Sequence, residues 1–449
     1  MAAKGCAANT SAIQLWMTGP PVDGCPITRP IWYGGIRTPG MAASAPRRGG
    51  PWRARSVSGI RSHQESAQKM RRQSPPSYPG RMSIDVSRPA RLAAPGEAIS
   101  YEELGLAARN HALPLEALRY DVTPIGLHYL LIHYDIPEVD PESFRLHIGG
   151  RVGTPLDLDL PALRSRPRVT HRVTLECAGN GRALLEPRPE SQPWLDGGIG
   201  TADWTGTPLA PLLREAGVDD DAVEVIFTGA DHGVERGVEQ DYQRSLPLAE
   251  AMRDELLLAY EMNGAPLPPQ HGAPLRLVVP GWYGMAHVKW LREITVVDAP
   301  FEGFQNAVAY RLRQEPDEPG EPVTRMEPRA LIRPPGYPDF MSRLRIVPAG
   351  RCTLDGRAWS GHAPVTRVEV TTDGGATWSE AELDAGHEPG WTWRRWWYEW
   401  DAAPGRHLLS ARATDATGRI QPVSAPWNRG GFANNLVQRL EVVVTADSG

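Results

Sequence analysis

The pattern of apolar and polar positions divides the chain into three parts. The first part, about eighty residues long, is rich in Arg, Pro, Ser and Gly and shows little periodicity, which is typical of a segment too polar to bury a core. Short helical and strand patterns then interleave, and from about Ala330 only strand patterns remain. We therefore predict a disordered tail at 1–85, a first domain at 95–325 and a second domain at 330–449.

The first domain is predicted to mix helices with strands. Its predicted strands are Phe144–Gly150, His171–Leu175, Val223–Phe227, Leu275–Pro280 and Val288–Val297, and its predicted helices are Ser100–Ala108, Pro208–Ala216 and Leu248–Glu255. Gly217 is a stop signal for the second of these helices, whereas the glycine-rich Asp196–Thr201 predicts a flexible turn. The elements lack the regular βα rhythm of a doubly wound sheet, so we predict the α+β class.

The second domain is predicted to be all-β. Val368, Val370 and Thr372 fall on one face of a strand that ends in the hairpin turn Asp373–Gly375. A dense aromatic stretch at 391–400 predicts a pair of strands, and two further alternating stretches close the domain. Strands at this spacing, in a little over a hundred residues, are typical of an immunoglobulin-like sandwich.

Composition and charge narrow the classes of protein. The chain has 449 residues, 41% hydrophobic content and a net charge of −5, so we expect neither nucleic acid nor a membrane as a general partner. Arg71-Arg72 is not followed by the apolar stretch of an export signal, and we therefore expect a cytoplasmic location. Met82 is a possible true start, because ordered-looking sequence begins just after it.

One stretch, Val173–Arg182, has the character of a functional loop. A β-branched, apolar run leads into Cys177, and small residues and Arg182 follow at once. Glycines permit a tight turn or the close approach of a ligand, and the arginine can help to keep a thiolate ionised. The four cysteines, Cys6, Cys25, Cys177 and Cys352, lie far apart and form no CxxC pair. On these grounds alone Cys177 is either a buried free cysteine beside a turn or a special thiol.

Other candidate chemistry is less specific. The sequence contains no HExxH, GxSxG, P-loop or GxGxxG motif. The basic triplet Arg109-Asn110-His111 can meet an anion or form a solvated loop. His128 and His133 stand in an apolar stretch and are expected in the core or at the surface rather than as ligands. Several histidines could serve as the base of a cysteine hydrolase, but no motif selects one.

At this point several motifs together resemble the sulfite oxidase family of molybdenum enzymes. The resemblance covers roughly 100–445, in the family's order. Its motifs are Arg109–His111, Leu175–Arg182, Leu258–Gly264, Pro266–Pro268, His271-Gly272, Leu275–Pro280, Gly284–Trp290, Asp373–Trp378 and Trp427–Gly430.

The resemblance implies a molybdenum centre held by a molybdopterin dithiolene and one protein thiolate. Cys177 matches the position of that metal ligand, and a soft thiolate suits a metal already bound by sulfur. The positions that match the family's substrate pocket are Arg109, Arg182, Trp194, Tyr310 and Arg429. The positions that match its cofactor-binding residues are Asn110, His111, Asp231, His271, Arg276, His287, Val288 and Lys289.

The implied reaction is the oxidation of sulfite to sulfate, with two electrons passed to a separate acceptor such as a cytochrome, or to oxygen. The second domain would form a homodimer, and no heme is expected because no cytochrome b5-like domain precedes the core. The chain departs from many relatives at Gly181, at His287 and in the longer apolar segment Leu115–Pro137. These departures bear on the substrate more than on the cofactor.

Three alternatives stay open. The same fold supports nitrate reduction and the reduction of methionine sulfoxide. A protein that binds molybdopterin without turnover is a second alternative. Outside the family, the chain would be an immunoglobulin-like binding module attached to an α+β domain.

Overall fold

The computed structural model describes residues 109–446, apart from 190, 387–389 and 425–426. The predicted tail, the Met82 start and the predicted helix Ser100–Ala108 lie outside the described residues, as do Cys6 and Cys25. Within the described residues, no helix is long and apolar enough to cross a membrane.

The first domain contains twelve strands and three α-helices among its described residues. The strands are β1 (Leu146–Gly150), β2 (Leu156–Leu158), β3 (Val169–Glu176), β4 (Ile199–Pro208), β5 (Glu224–Glu235), β6 (Val238–Pro247), β7 (Leu257–Met262), β8 (Ala265–Pro266), β9 (Arg276–Val278), β10 (Leu291–Val297), β11 (Arg311–Leu312) and β12 (Glu321–Pro322). The α-helices are α1 (Leu160–Arg164), α2 (Leu209–Ala216) and α3 (Leu248–Ala251). Single 3₁₀ turns lie at Leu115–Arg119, Ile125–Leu127, Arg182–Leu184, Pro269–His271 and Gly284–Ala286, and a π turn lies at Gln305–Ala309.

Two larger sheets organise the first domain. One has the strand order β2-β1-β10-β5-β6, and in the other β3-β4-β7-β8 form the path while β9 pairs with β7. Strand β1 pairs in parallel with the distant β10, whereas the other pairs of both sheets are antiparallel. Helix α2 buries Leu209, Leu212 and Leu213 and ends at Gly217, whose φ is +67°. This mixture confirms the α+β class and the predicted stop of α2.

The second domain is a sandwich of two sheets. Its strands are β13 (Arg329–Ile332), β14 (Tyr337–Pro338), β15 (Arg345–Pro348), β16 (Gly350–Trp359), β17 (Val365–Thr371), β18 (Ser379–Glu380), β19 (Glu382–Leu383), β20 (Arg394–Ala402), β21 (Gly405–Asp415) and β22 (Leu440–Thr445). The sheet orders are β13-β16-β20-β19 and β14-β15-β22-β21-β17-β18. Alternate residues of both sheets, among them Leu354, Trp396, Val368 and Val442, form one buried apolar cluster. The predicted β-sandwich is confirmed.

Three details differ from the prediction. The aromatic stretch forms one strand, β20, and not a pair, because Trp393 precedes the strand and its indole N–H donates to the carbonyl of Asp121 in the first domain (2.9 Å). The predicted turn Asp196–Thr201 instead enters the buried strand β4 at Ile199. Helix α3 ends at Ala251, four residues before the predicted end. Tertiary contacts override the local pattern in the first two cases.

Candidate cofactor and anion-binding site

Cys177 lies in the wall of a cleft in the first domain. Residues from seven separate stretches of chain line the cleft, namely His128, Tyr129, Leu130, Leu131, His133, Leu175, Cys177, Ala178, Asp231, Tyr242, His271, Arg276, Gly284, Met285, His287, Lys289 and Tyr310. Seven of the residues predicted from the sequence are therefore brought together here, namely Cys177, Asp231, His271, Arg276, His287, Lys289 and Tyr310.

The backbone after β3 explains how Cys177 reaches the cleft. The N–H of Cys177 donates to the carbonyl of Gly198 (2.8 Å), and the carbonyl of Cys177 accepts from the N–H of Asn180 (2.9 Å). Gly181 has a φ of +81°, a conformation that side chains disfavour. A Cβ at Gly179 would lie 2.5 Å from the guanidinium of Arg182. Both glycines were predicted as turn residues. Gly181 bends the loop, and Gly179 leaves room for the guanidinium of Arg182.

Burial raises the pKa of the Cys177 thiol above its ordinary value. The nearby Arg182 guanidinium lowers this pKa and the Glu176 carboxylate raises it, so burial outweighs the arginine. An isolated thiolate is costly in such surroundings, whereas a bound metal ion keeps a coordinating thiol deprotonated. The cleft therefore favours ionised Cys177 when the sulfur is bound to a metal.

A group of basic side chains also lines the cleft. Burial is the largest cause that lowers the pKa of Lys289 to about 7 and that of Arg276 to about 10. Burial also lowers the pKa values of His128, His271 and His287, to about 4, about 2 and about 3. The charge of Arg276 lowers the pKa values of Lys289 and the three histidines further, because it disfavours their protonated forms. Basic groups held close together without water favour a bound anion.

The polar atoms of this group are directed by the backbone. Arg276 donates to the carbonyls of His271 (3.0 Å) and His287 (3.3 Å), while its Nε has no hydrogen-bond partner within the described part of the chain. Lys289 donates to the carbonyls of Leu131 (2.8 Å) and Gln270 (3.1 Å). In contrast, both ring nitrogens of His287 bond the backbone, at the N–H of Val279 and the carbonyl of Trp282 (3.1 Å each).

These residues fit an anionic, sulfur-rich metal cofactor. The Nε of Arg276, buried without a partner among the described residues, lies in a group of basic side chains whose charged forms burial disfavours. Both features suit a phosphate-bearing ligand. Cys177, a soft donor in the lining of the same cleft, suits a metal that the cofactor itself already binds. Among the described residues, no three His, Cys, Asp or Glu side chains are grouped so that they could hold a metal ion.

An aromatic wall connects Tyr310 with the cysteine loop, which runs from Glu176 to Arg182. The ring of Phe432 lies 5.0 Å from that of Tyr310 and also 5.0 Å from the guanidinium carbon of Arg182. Trp194 is buried and packs edge-on against Tyr129, with ring centroids 6.3 Å apart. Burial raises the pKa of Tyr310 far above its usual value, so this phenol stays protonated.

Besides Arg429, six predicted site residues lie outside the lining of the cleft. Arg182 is buried directly behind the cysteine loop, and Trp194 shares a buried apolar cluster with Cys177. The amide of Asn110 is used structurally, because it accepts from the N–H of Ile132 (2.7 Å) and donates to Gln192 (3.0 Å). The remaining three are Val288, which is buried, and His111 and Arg109, which are exposed.

Arg429, predicted to face the metal, is exposed on the loop that precedes Gly430. The backbone N–H of Arg429 donates to the carbonyl of Arg313 (2.9 Å), and the carbonyl of the next residue, Gly430, accepts from the Nε of Arg182 (2.7 Å). Of the three arginines expected around the substrate, Arg182 is the one that is buried beside Cys177.

Sequence reasoning missed the wall formed by 128–133. His128 is buried, with its ring edge-on to that of His271 at 5.6 Å, and His133 pairs with Glu235 at 2.8 Å. Both histidines were expected in the core or at the surface, but the segment that carries them also forms part of the cleft wall. The signal was the unusual apolar segment Leu115–Pro137, which carries both of them.

The buried histidines predict acid lability of the cofactor-free protein. Their folded-state pKa values lie below the ordinary 6.5, so the unfolded chain binds more protons and stability falls as the pH drops below that value. At about pH 5 each buried histidine lowers the free energy of unfolding by about 2 kcal/mol relative to about pH 7. In urea unfolding, His271→Gln should remove about one such increment. The exposed His147→Gln is the control, and an unchanged pH dependence in His271→Gln would contradict this origin.

Comparison with known proteins identifies the family. Residues 133–305 match the family described as oxidoreductase molybdopterin binding domain, and 326–445 match the Mo-co oxidoreductase dimerisation domain. Over 72% of this chain the sequence is 34% identical to human mitochondrial sulfite oxidase, and over 81% of this chain it is 33% identical to chicken sulfite oxidase. It spans 62% of the human protein and 78% of the chicken protein.

Two further relatives show how wide the likeness is. An NADH nitrate reductase of Brassica napus is 32% identical over 75% of this chain and 40% of its own length. The crystal structure of the sulfane dehydrogenase SoxCD from Paracoccus pantotrophus matches with a TM-score of 0.64 and 29% identity, over 74% of this chain and 85% of that one. With both domains matched in order, the chain belongs to the sulfite oxidase family of molybdopterin oxidoreductases.

Proposed function

We propose that this protein oxidises sulfite to sulfate with a molybdenum cofactor and passes two electrons to an external acceptor. The observation that carries the proposal is the presence of a buried thiol, Cys177, and several buried basic side chains in the lining of one cleft. The balanced reaction takes sulfite and water to sulfate, two protons and two electrons.

When bound, the molybdenum cofactor supplies a metal that accepts two electrons and exchanges an oxygen atom with the substrate. Cys177 holds this metal through its sulfur. Arg276 and Lys289 hold the cofactor's anionic groups, and His271 and His128 complete that flank of the cleft. Asp231 lies beside Lys289 and limits the local excess of positive charge.

Binding of the oxyanion is assigned to the side of the cysteine loop. Arg182 is buried, and its side chain is fixed by the carbonyls of Gly430 (2.7 Å) and Gln192 (3.1 Å). A fixed guanidinium presents a planar fork of donors that suits a small oxyanion. Tyr310 stays protonated and can donate a hydrogen bond to an oxygen of the substrate, while Trp194 excludes water. Arg109 and Arg429 would join the anion at the entrance of the site.

Nitrate reduction is the second candidate, and the likeness to the nitrate reductase supports it. A planar nitrate carries one negative charge and sulfite carries up to two, so the several cations near the cleft favour sulfite. A nitrate-dependent oxidation of reduced dye, measured beside the sulfite assay, distinguishes the two.

The external acceptor is proposed to be a separate carrier such as a cytochrome, or oxygen. We also propose a cytoplasmic location and a homodimer formed through the second domain. The match to a dimerisation domain supports the dimer.

The central test combines metal analysis with a sulfite-dependent dye-reduction assay on one preparation. The wild-type protein should contain molybdenum and reduce the dye. Cys177→Ser should lose this activity while its circular dichroism stays unchanged, because a hydroxyl is a harder and far less acidic ligand. Cys352→Ser, at a half-buried cysteine on β16, is the matched control. Full sulfite turnover by Cys177→Ser would remove Cys177 as the ligand.

The role of Arg429 has its own test. If the side chain turns toward the bound anion, Arg429→Met removes one charge-assisted contact of about 1.5–3 kcal/mol. The KM for sulfite should then rise about tenfold to a hundredfold with the molybdenum content unchanged, and Arg429→Lys should recover part of the loss. The exposed Arg439→Met is the control for loss of a surface charge. Wild-type kinetics in Arg429→Met would leave this arginine as a surface residue.

The proposed dimer is tested by light scattering at micromolar concentration. The expected mass is twice that of one chain, since two-fold dimers are the commonest closed assemblies. A mass equal to one chain at that concentration would contradict the dimer and would leave the sulfite assignment untouched.

A further inference from the structure

The carboxylate of Glu176, the residue directly before Cys177, is buried at the junction of the two domains. Its side chain is 2% exposed. One carboxylate oxygen accepts from Asn180 (2.9 Å) and Arg329 (3.2 Å), and the other accepts from the indole N–H of Trp359 (2.8 Å). Two of these three donors belong to the second domain. A charge buried this deeply needs such partners to remain tolerable.

Arg329, on the first strand of the second domain, serves the whole cysteine loop. Its side chain is 1% exposed. Besides Glu176, it binds the carboxylate of Asp196 (2.5 Å) and the carbonyl of Asn434 (2.6 Å). Asp196 lies two residues before Gly198, whose carbonyl receives the N–H of Cys177. One guanidinium therefore ties together both sides of the segment that carries Cys177.

The end of the second domain adds three contacts to the same loop. The N–H of Ala433 donates to the carbonyl of Ala178 (2.8 Å), and the amide of Asn434 donates to the carbonyl of Gly181 (2.7 Å). Arg182 donates in return to the carbonyl of Gly430. The second domain therefore hydrogen-bonds the loop at Glu176, Ala178, Gly181 and Arg182.

We infer that Arg329 is a positioning residue for Cys177. Through Glu176, Asp196 and Asn434 it fixes the loop that presents the sulfur, so the second domain sets the position of the metal ligand as well as any contact between protomers. The inference rests on the proposed function in taking Cys177 as the metal ligand. The clamp itself is a property of the polypeptide and can be measured without the cofactor.

The primary experiment is hydrogen–deuterium exchange of the cofactor-free protein, read in peptides that cover 173–184. Arg329→Met should speed exchange in these peptides, because Glu176 and Asp196 lose their shared cation. Arg329→Lys should give a smaller change, since an ammonium can keep one partner but lacks the planar fork. If Arg329→Met does not fold, the double variant Arg329→Met with Glu176→Gln serves in its place, because it removes the more deeply buried of the two stranded carboxylates.

The matched control is Arg357→Met. Arg357 is equally buried on β16 and also binds the first domain, at the carbonyl of Leu118 (2.8 Å) and the carboxylate of Asp121 (2.7 Å). Neither of these partners of Arg357 belongs to the cysteine loop. Its loss should leave exchange at 173–184 unchanged relative to the rest of the protein. Equal changes in both variants would reduce Arg329 to a general structural residue and overturn the inference.

The loaded enzyme gives a second readout. A misplaced ligand should lower kcat for sulfite by about 10-fold to 100-fold in Arg329→Lys, as supporting residues of metal sites do, while KM stays near the wild-type value. A rise in KM with kcat unchanged would place Arg329 with substrate binding and contradict the inference. Failure of the wild-type protein to oxidise sulfite would refute the proposed function, yet the exchange experiment would still decide the clamp.

Discussion

The burial of several basic side chains around one cleft is the constraint on which the site depends. Arg276, Lys289 and three histidines are removed from water, which lowers the pKa of each, and Arg276 lowers the pKa values of the other four further. The surrounding backbone offsets part of this cost by turning carbonyls toward Arg276 and Lys289. Two sheets and the loops between them are needed to hold these groups together. The fold therefore maintains an arrangement that is costly without an anion and favourable with one.

Around Cys177 the electrostatic problem is the reverse. There a thiol and the carboxylate of Glu176 are buried as neighbours in sequence, and positive charge must be brought to them. Arg182 supplies it from within the loop, and Arg329 supplies it from the second domain. The sandwich thus completes the electrostatics of the first domain. The continuous apolar cluster that takes in Leu331, Trp359 and Trp393 fixes the two domains against each other.

Much of the fold was predictable from local pattern, and much of the site from its motif residues. The helix that ends at Gly217 and the strand that leads to Cys177 carry clear periodicity and stop signals, so both were correctly anticipated. The buried start of β4 was not, because its glycines suggest a turn until β3 is known to pair with it. Glu176 was overlooked, since a glutamate in a strand is ordinarily solvated. Only the donors Asn180, Arg329 and Trp359, two of them more than 150 positions away, make its burial intelligible. The positions of Arg109 and Arg429 show the limit of a motif, which gives the residue but not the direction of its side chain.

The grip of the second domain on the cysteine loop also bears on the order in which the chain matures. The partners of Arg182 and Gly181 lie 248 and 253 positions further on. During synthesis, which proceeds from the amino terminus at a finite rate, the loop around Cys177 is made long before the residues that close over it. The native contacts of this loop are therefore completed only after the second domain has been synthesised. A chain that ends before Gly430 lacks the partners that hold both Gly181 and Arg182.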